Sequence, residues 1–102
     1  YAKTDELIAL TKAAAEFGGG YIAHMRSEGD RYLEAIDETI AIARAADTHA
    51  QIYHLKPAGR SNWDKSAAGL AKLDAARADG VDVTANIYTY TAGATGLYAT
   101  MP

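Results

Sequence analysis

Three short apolar runs, each following a helix-patterned segment and each bounded by loop residues, constrain this chain more than any other feature. Tyr21-Ile22-Ala23-His24-Met25-Arg26, Gln51-Ile52-Tyr53-His54-Leu55-Lys56 and Val81 to Tyr88 read as strands, the last with period-two alternation. The segments before them read as helices. The first starts at Thr4 as N-cap, with Asp5 and Glu6 in its first turn, where the helix dipole favours acids. Leu7, Ile8, Leu10, Ala14 and Phe17 form its apolar stripe, and Gly18-Gly19-Gly20 ends it. The second starts near Asp30 and runs to Ala46-Asp47, with Leu33, Ile36, Ile40 and Ala43 on one face. The third is capped by Ser61 or Asn62, carries Leu70, Leu73 and Ala76 inward, and closes at Gly80. Thr89 to Pro102 reads as a Thr/Ala/Gly-rich loop.

The order αβαβαβ with short connections implies parallel strands and right-handed crossovers. A small doubly wound sheet and an arc of a (β/α)₈ barrel both satisfy it. A whole barrel takes roughly 250 residues, so 102 residues supply only part of one. Both ends read as cuts, since the chain starts without Met and stops at Met101-Pro102 with no closing element. Half of the residues are hydrophobic (49%), which argues against disorder. The net charge of -3 gives no basic footprint for nucleic acid, and no apolar stretch is long enough to span a bilayer. The absence of cysteine excludes disulfides and thiolate chemistry and fits a cytoplasmic protein. No Gly-x-Gly-x-x-Gly follows a strand, so a dinucleotide cradle is unsupported.

The chemistry is carried by a repeat of position. His24 and His54 stand near the C-terminal ends of consecutive strands, and each is followed two residues later by a cation, Arg26 and Lys56. In parallel α/β folds those ends form the functional face. Adjacent strands lie about 4.8 Å apart, so two imidazoles there can converge on one ion. Against this stands a bland reading, in which each is a hydrogen-bonded strand histidine. His49, in the turn before the second strand, is expected at the opposite end, on the surface. Glu28 and Asp30 with Arg26 read as a polar network at the mouth of the site. Trp63 is expected to pack its loop onto the third helix.

The same segments resemble a known family. Tyr-Ile-Ala-His-Met-Arg-Ser-Glu-Gly-Asp (21–30), Gln-Ile-Tyr-His-Leu-Lys-Pro-Ala-Gly-Arg-Ser-Asn-Trp (51–63), Asp82 to Ala92, and Thr95-Gly96-Leu97 with Met101-Pro102 are similar, in order, to motifs of the N-acyl-D-amino-acid deacylases (D-aminoacylases). These are metal-dependent amidohydrolases. The resemblance implies that residues 1–102 are an internal part of a catalytic barrel, covering strands five to seven. It implies His24 and His54 as zinc ligands, and Lys56 and Tyr88 as residues holding the substrate carboxylate. Arg26 is a further substrate-binding candidate. The substrate implied is a small N-acyl-D-amino acid, cleaved at its amide with zinc as cofactor. No residue of the chain matches the proton-shuttling aspartate, so no catalytic residue is assigned.

The chain departs from the family pattern at Tyr53 for Ser, Asn86 for Asp, Thr89 for Pro, and Gly93-Ala94 for a polar pair. Two other readings stay open: a noncatalytic structural or interaction piece, and a relative acting on cyclic amides or other N-acyl amino acids. Three strands cut from a barrel leave two open edges, so self-association is expected. Ile22 or its neighbours, with Ile52 and Val83, are expected on the inward faces left uncovered.

Overall fold

The computed structural model describes residues 2–100; Tyr1 and the Met101-Pro102 end of the last motif lie outside them. Helices α1 (Thr4–Ala15), α2 (Tyr32–Ala46) and α3 (Lys65–Ala78) alternate with strands β1 (Tyr21–Ala23), β2 (Ala50–Ile52) and β3 (Val83–Ala85). Arg60–Asn62 and Leu97–Thr100 are single 3₁₀ turns. The strands form one parallel sheet in the order β1-β2-β3, with Ala23, Ile52 and Ala85 in register across it. This is the expected αβαβαβ order, with two parallel crossovers. Among the described residues no helix is long and apolar enough to cross a membrane.

The strands are shorter than their apolar runs. Each has three residues, because the ladder ends where β2 turns away. His54 has φ 39°, in the left-handed region, which a strand cannot continue through. Two further bonds close the sheet around that turn: Asn86 N–H donates to the Ile52 carbonyl (3.0 Å), and Leu55 N–H to the Asn86 carbonyl (2.9 Å).

The core lies on one side of the sheet. Ala50, Ile52 and Val83 pack against Tyr32, Ile36 and Ala43 of α2 and Leu73 and Ala76 of α3. Ile36 and Ile52 are wholly buried. Alternation along the strands sends Ile22, Gln51 and Thr84 to the other side, where Ile22 is exposed. Ile52 and Val83 therefore belong to the helix-covered face, and the expectation that they share an uncovered face with Ile22 is corrected.

Other local expectations are corrected as well. Lys3 is the N-cap of α1, without a side-chain bond. The Thr4 hydroxyl donates instead to Glu38 Oε1 on α2 (2.6 Å). Leu10 and Phe17 are exposed, the latter at 90%, so the stripe of α1 extends beyond its contact with α2. Arg31 and Asp64 are the N-caps of α2 and α3. Asn62 is buried in the 3₁₀ turn, where its amide donates to the Ala58 carbonyl and accepts from Lys65 Nζ. Trp63 is exposed and lies beside the Arg60 guanidinium, 5.7 Å from the ring centroid, rather than packing on α3. Leu70 is half-exposed, and Gly69 is the buried residue in its place. The seam of α3 is thus Gly69, Leu73 and Ala76, spaced as one helix face.

Gly69 matters because Tyr32 of α2 fills the space beside it. A Cβ at residue 69 would stand 2.7 Å from Tyr32 Cε1 and 3.0 Å from Ile36 Cδ1. Both neighbours are buried and have no room to yield. Gly69→Ala is therefore expected to destabilise the full-length protein by about 1–3 kcal/mol, as overpacked cores do, although alanine is the better helix former. Urea denaturation checks this; a stabilised variant would contradict the packing.

An ion pair beside the contact of α1 with α2 ties the loop after β1 to α2. Glu38 Oε2 lies 2.7 Å from Arg26 Nε, and the Arg26 Nη2 donates to the Ala2 carbonyl (2.6 Å). Burial pushes the Glu38 carboxyl up, but hydrogen bonds from Arg26 and Thr4 and the charges of Arg26 and Arg31 outweigh it, holding it below its usual value. A depressed carboxylate contributes stability above its unfolded pKa of roughly 4.3, and that stability is lost as pH falls through the folded value. The stability gap between the native protein and Glu38→Gln is expected to be full at neutral pH and to close as the pH drops below about 4. Denaturation midpoints of both proteins over that range measure it.

Candidate metal centre

The C-terminal strand ends carry the polar residues of the chain's middle. His24 follows β1 directly, His54 comes two residues after β2, and Asn86 follows β3. Parallel pairing brings the three to one end of the sheet. His49, just before β2, is at the other end, where it contacts Asp82 (3.0 Å) and the Thr84 hydroxyl (3.3 Å). The expected separation of the histidines is observed.

His24 Nδ1 and His54 Nε2 face each other at 2.9 Å, with the rings edge to face. Two nitrogen ligands of a tetrahedral zinc, each about 2.0–2.1 Å from it, stand roughly 3.3 Å apart. The pair therefore needs to open by only a few tenths of an ångström to share an ion. Without one, a proton on His24 Nδ1 bridges to the His54 Nε2 lone pair.

That lone pair is set from the other edge of the ring. Glu28 Oε1 lies 2.7 Å from His54 Nδ1, and a carboxylate only accepts, so Nδ1 carries the hydrogen. The His54 backbone is held too: its N–H donates to Asn86 Oδ1 at 2.7 Å. An amide oxygen does here what a carboxylate oxygen would, so Asn86 keeps the turn at φ 39°. Tyr53 is half-exposed, its ring centroid 6.3 Å from that of His54.

Lys56 stands beside this group. Its Nζ lies 2.8 Å from Glu28 Oε2, donates to the His54 carbonyl at 3.3 Å, and is 5.3 Å from the Tyr88 ring centroid. Tyr88 is also 6.4 Å, centroid to centroid, from His54. The fold thus gathers His24, His54, Lys56 and Tyr88. Arg26 is not brought to them: its guanidinium turns to Glu38 and the Ala2 carbonyl. Glu28 is the residue whose place at the centre the spacing did not reveal. The polar network with Arg26 that was expected of it is instead an ion pair with Lys56. His24, Glu28 and His54 offer ligand atoms all within 4.8 Å of one another, a donor set that suits zinc.

No family model matches the chain. It is 42% identical over 94 residues to an N-acyl-D-glutamate deacylase of Alcaligenes xylosoxydans xylosoxydans, covering 92% of this chain and 19% of that enzyme. Its fold is similar to that of an N-acyl-D-glutamate deacylase from Bordetella bronchiseptica solved with zinc and a phosphonate inhibitor that mimics the tetrahedral intermediate. That likeness has a TM-score of 0.83 at 37% identity over 87% of this chain and 19% of the other. A D-aminoacylase described as defining a novel subset of amidohydrolases matches with a TM-score of 0.84 at 38% identity, again over 90% and 19% of the two chains. The chain spans about a fifth of the length of these relatives. Over about nine-tenths of its residues it is similar, in sequence and in fold, to one segment of N-acyl-D-glutamate deacylase and D-aminoacylase, the resemblance that its ordered motifs carry.

Proposed function

We propose that the protein containing this chain is a zinc-dependent hydrolase that cleaves the amide bond of N-acyl-D-amino acids, and that β1 to β3 are consecutive strands of its (β/α)₈ barrel. One observation carries the reading: two imidazole nitrogens meet at 2.9 Å on the C-terminal ends of adjacent parallel strands, in a chain this similar to N-acyl-D-glutamate deacylase. His24 Nδ1 and His54 Nε2 would hold the ion. Zinc, when bound, supplies a Lewis acid for the scissile carbonyl and lowers the pKa of a water. Lys56 and Tyr88 stand where a cation and a phenol can meet the substrate's carboxylate, fixing the amide relative to the metal. Arg26, tied to Glu38, is left to the contact between α1 and α2. The cysteine-free composition supports a cytoplasmic setting.

Assay of the full-length protein against N-acyl-D-amino acids (N-acyl-D-glutamate included), N-acyl-L-amino acids and cyclic amides tests the substrate class. Turnover is expected for the D-series alone, with His24→Ala or His54→Ala reducing kcat/KM by more than about 100-fold and weakening zinc binding. Preference for a cyclic amide would move the protein to another branch of amidohydrolases, and zinc binding untouched by both substitutions would remove the metal site. The 102 residues alone are expected to be inactive and to self-associate, since β1 and β3 present open edges and Ile22 an uncovered apolar surface. Zinc-dependent turnover by that piece, or a monomer at all concentrations in light scattering, would contradict this.

A further inference from the structure

Glu28 lies in the loop between β1 and α2, its side chain 14% exposed. Its backbone carbonyl accepts from Ala58 N–H at 2.6 Å, so the main chain anchors the residue independently of the carboxylate. The carboxylate then serves two partners. Oε1 accepts from His54 Nδ1 at 2.7 Å and from Lys56 Nζ at 2.9 Å, and Oε2 pairs with the same Nζ at 2.8 Å. Lys56 Nζ is also 3.2 Å from His54 Nδ1, but an ammonium only donates, so it does not compete for the Nδ1 hydrogen. The consequence for His54 is a fixed ring orientation, with the Nε2 lone pair turned to His24.

The group could instead be read as three ligands around one ion. The edges of the ring argue otherwise. The nitrogen of His54 that faces His24 is Nε2, whereas Glu28 sits at Nδ1, and both of its oxygens already hold a donor. We propose that Glu28 is a positioning residue, orienting His54 toward the metal through Oε1 and, through both oxygens, setting where the Lys56 ammonium stands for the substrate carboxylate. This rests on the metal-site reading above. A carboxylate on the far nitrogen of a ligating histidine fixes the tautomer and raises the basicity of the ligand. Here the same carboxylate joins the metal-binding and substrate-binding functions, so the two are coupled through one side chain.

Glu28→Gln separates the possibilities. The amide keeps the shape but loses the charge and one acceptor: its NH₂ faces the ammonium in either orientation, and in one of them the imidazole N–H as well. The test uses the full-length protein, with zinc affinity measured by competition with a chromophoric chelator and the ligand set by the visible spectrum of the cobalt(II) form. Expected are an intact fold by circular dichroism, zinc affinity reduced about 10–100-fold, and cobalt bands of unchanged position. KM for an N-acyl-D-amino acid should rise as well. Lys56→Met should raise KM but leave zinc affinity at the native value. If Glu28→Gln does not fold, Glu28→Asp replaces it: the charge remains, but one methylene less prevents the carboxylate from reaching both partners, and zinc affinity should again fall. Native zinc affinity in the folded Glu28 variant overturns the proposal. Cobalt bands that report loss of a ligand overturn it too, by making Glu28 a ligand. Native zinc affinity in His24→Ala and His54→Ala overturns the underlying metal-site reading instead.

Discussion

The register Ala23↔Ile52↔Ala85 is the constraint on which the rest of this structure depends. Side chains alternate along a strand, so a slip of one residue would turn Ile52 out of the helix layer and move the following turn with it. Burial enforces the register: Ala50, Ile52 and Val83 sit at or near zero exposure beneath α2 and α3. Because the pairs are parallel and in step, the chain leaves all three strands at one end. His24, His54 and Asn86 therefore meet. The hydrophobic face and the polar centre are two results of one alignment.

At the centre, directional bonds take over from burial. His54 has a backbone conformation unfavourable for a residue with a side chain, and three partners hold it there: Asn86 at its N–H, Lys56 at its carbonyl and Glu28 at its ring. Each comes from a different loop. Asn86, where the resemblance implied Asp, still bonds the His54 N–H, because the acceptor needed is a single oxygen. Tyr53, where the resemblance implied Ser, is half-exposed beside His54. Both departures are compatible with an intact centre.

The Arg26–Glu38 pair shows how a cation two residues from a candidate ligand can be drawn elsewhere. Arg26 and Lys56 occupy equivalent positions after β1 and β2 and look alike in the sequence. Lys56 finds Glu28, and Arg26 finds Glu38 together with the Ala2 carbonyl. The difference lies in the acids the two loops face. Beyond Arg26 is α2 with Glu38 on its second turn, whereas the loop after β2 folds back beside Glu28, with Ala58 N–H bonded to the Glu28 carbonyl.

The sequence by itself determined the order of elements, the parallel sense of the strands, and the placing of His24 and His54 at one end with His49 at the other. Those follow from periodicity and connection length, which are local properties of the chain. It also determined, through ordered motifs, the kind of enzyme this segment resembles. Only the tertiary structure decided where the ladder stops, that Gly69 rather than Leu70 faces Tyr32, that Phe17 stays in solvent, and that Glu28 rather than Arg26 serves the histidine pair. Each of those depends on the distance between groups on separate loops or helices. Spacing along the chain says which face a residue occupies, but not which partner waits there.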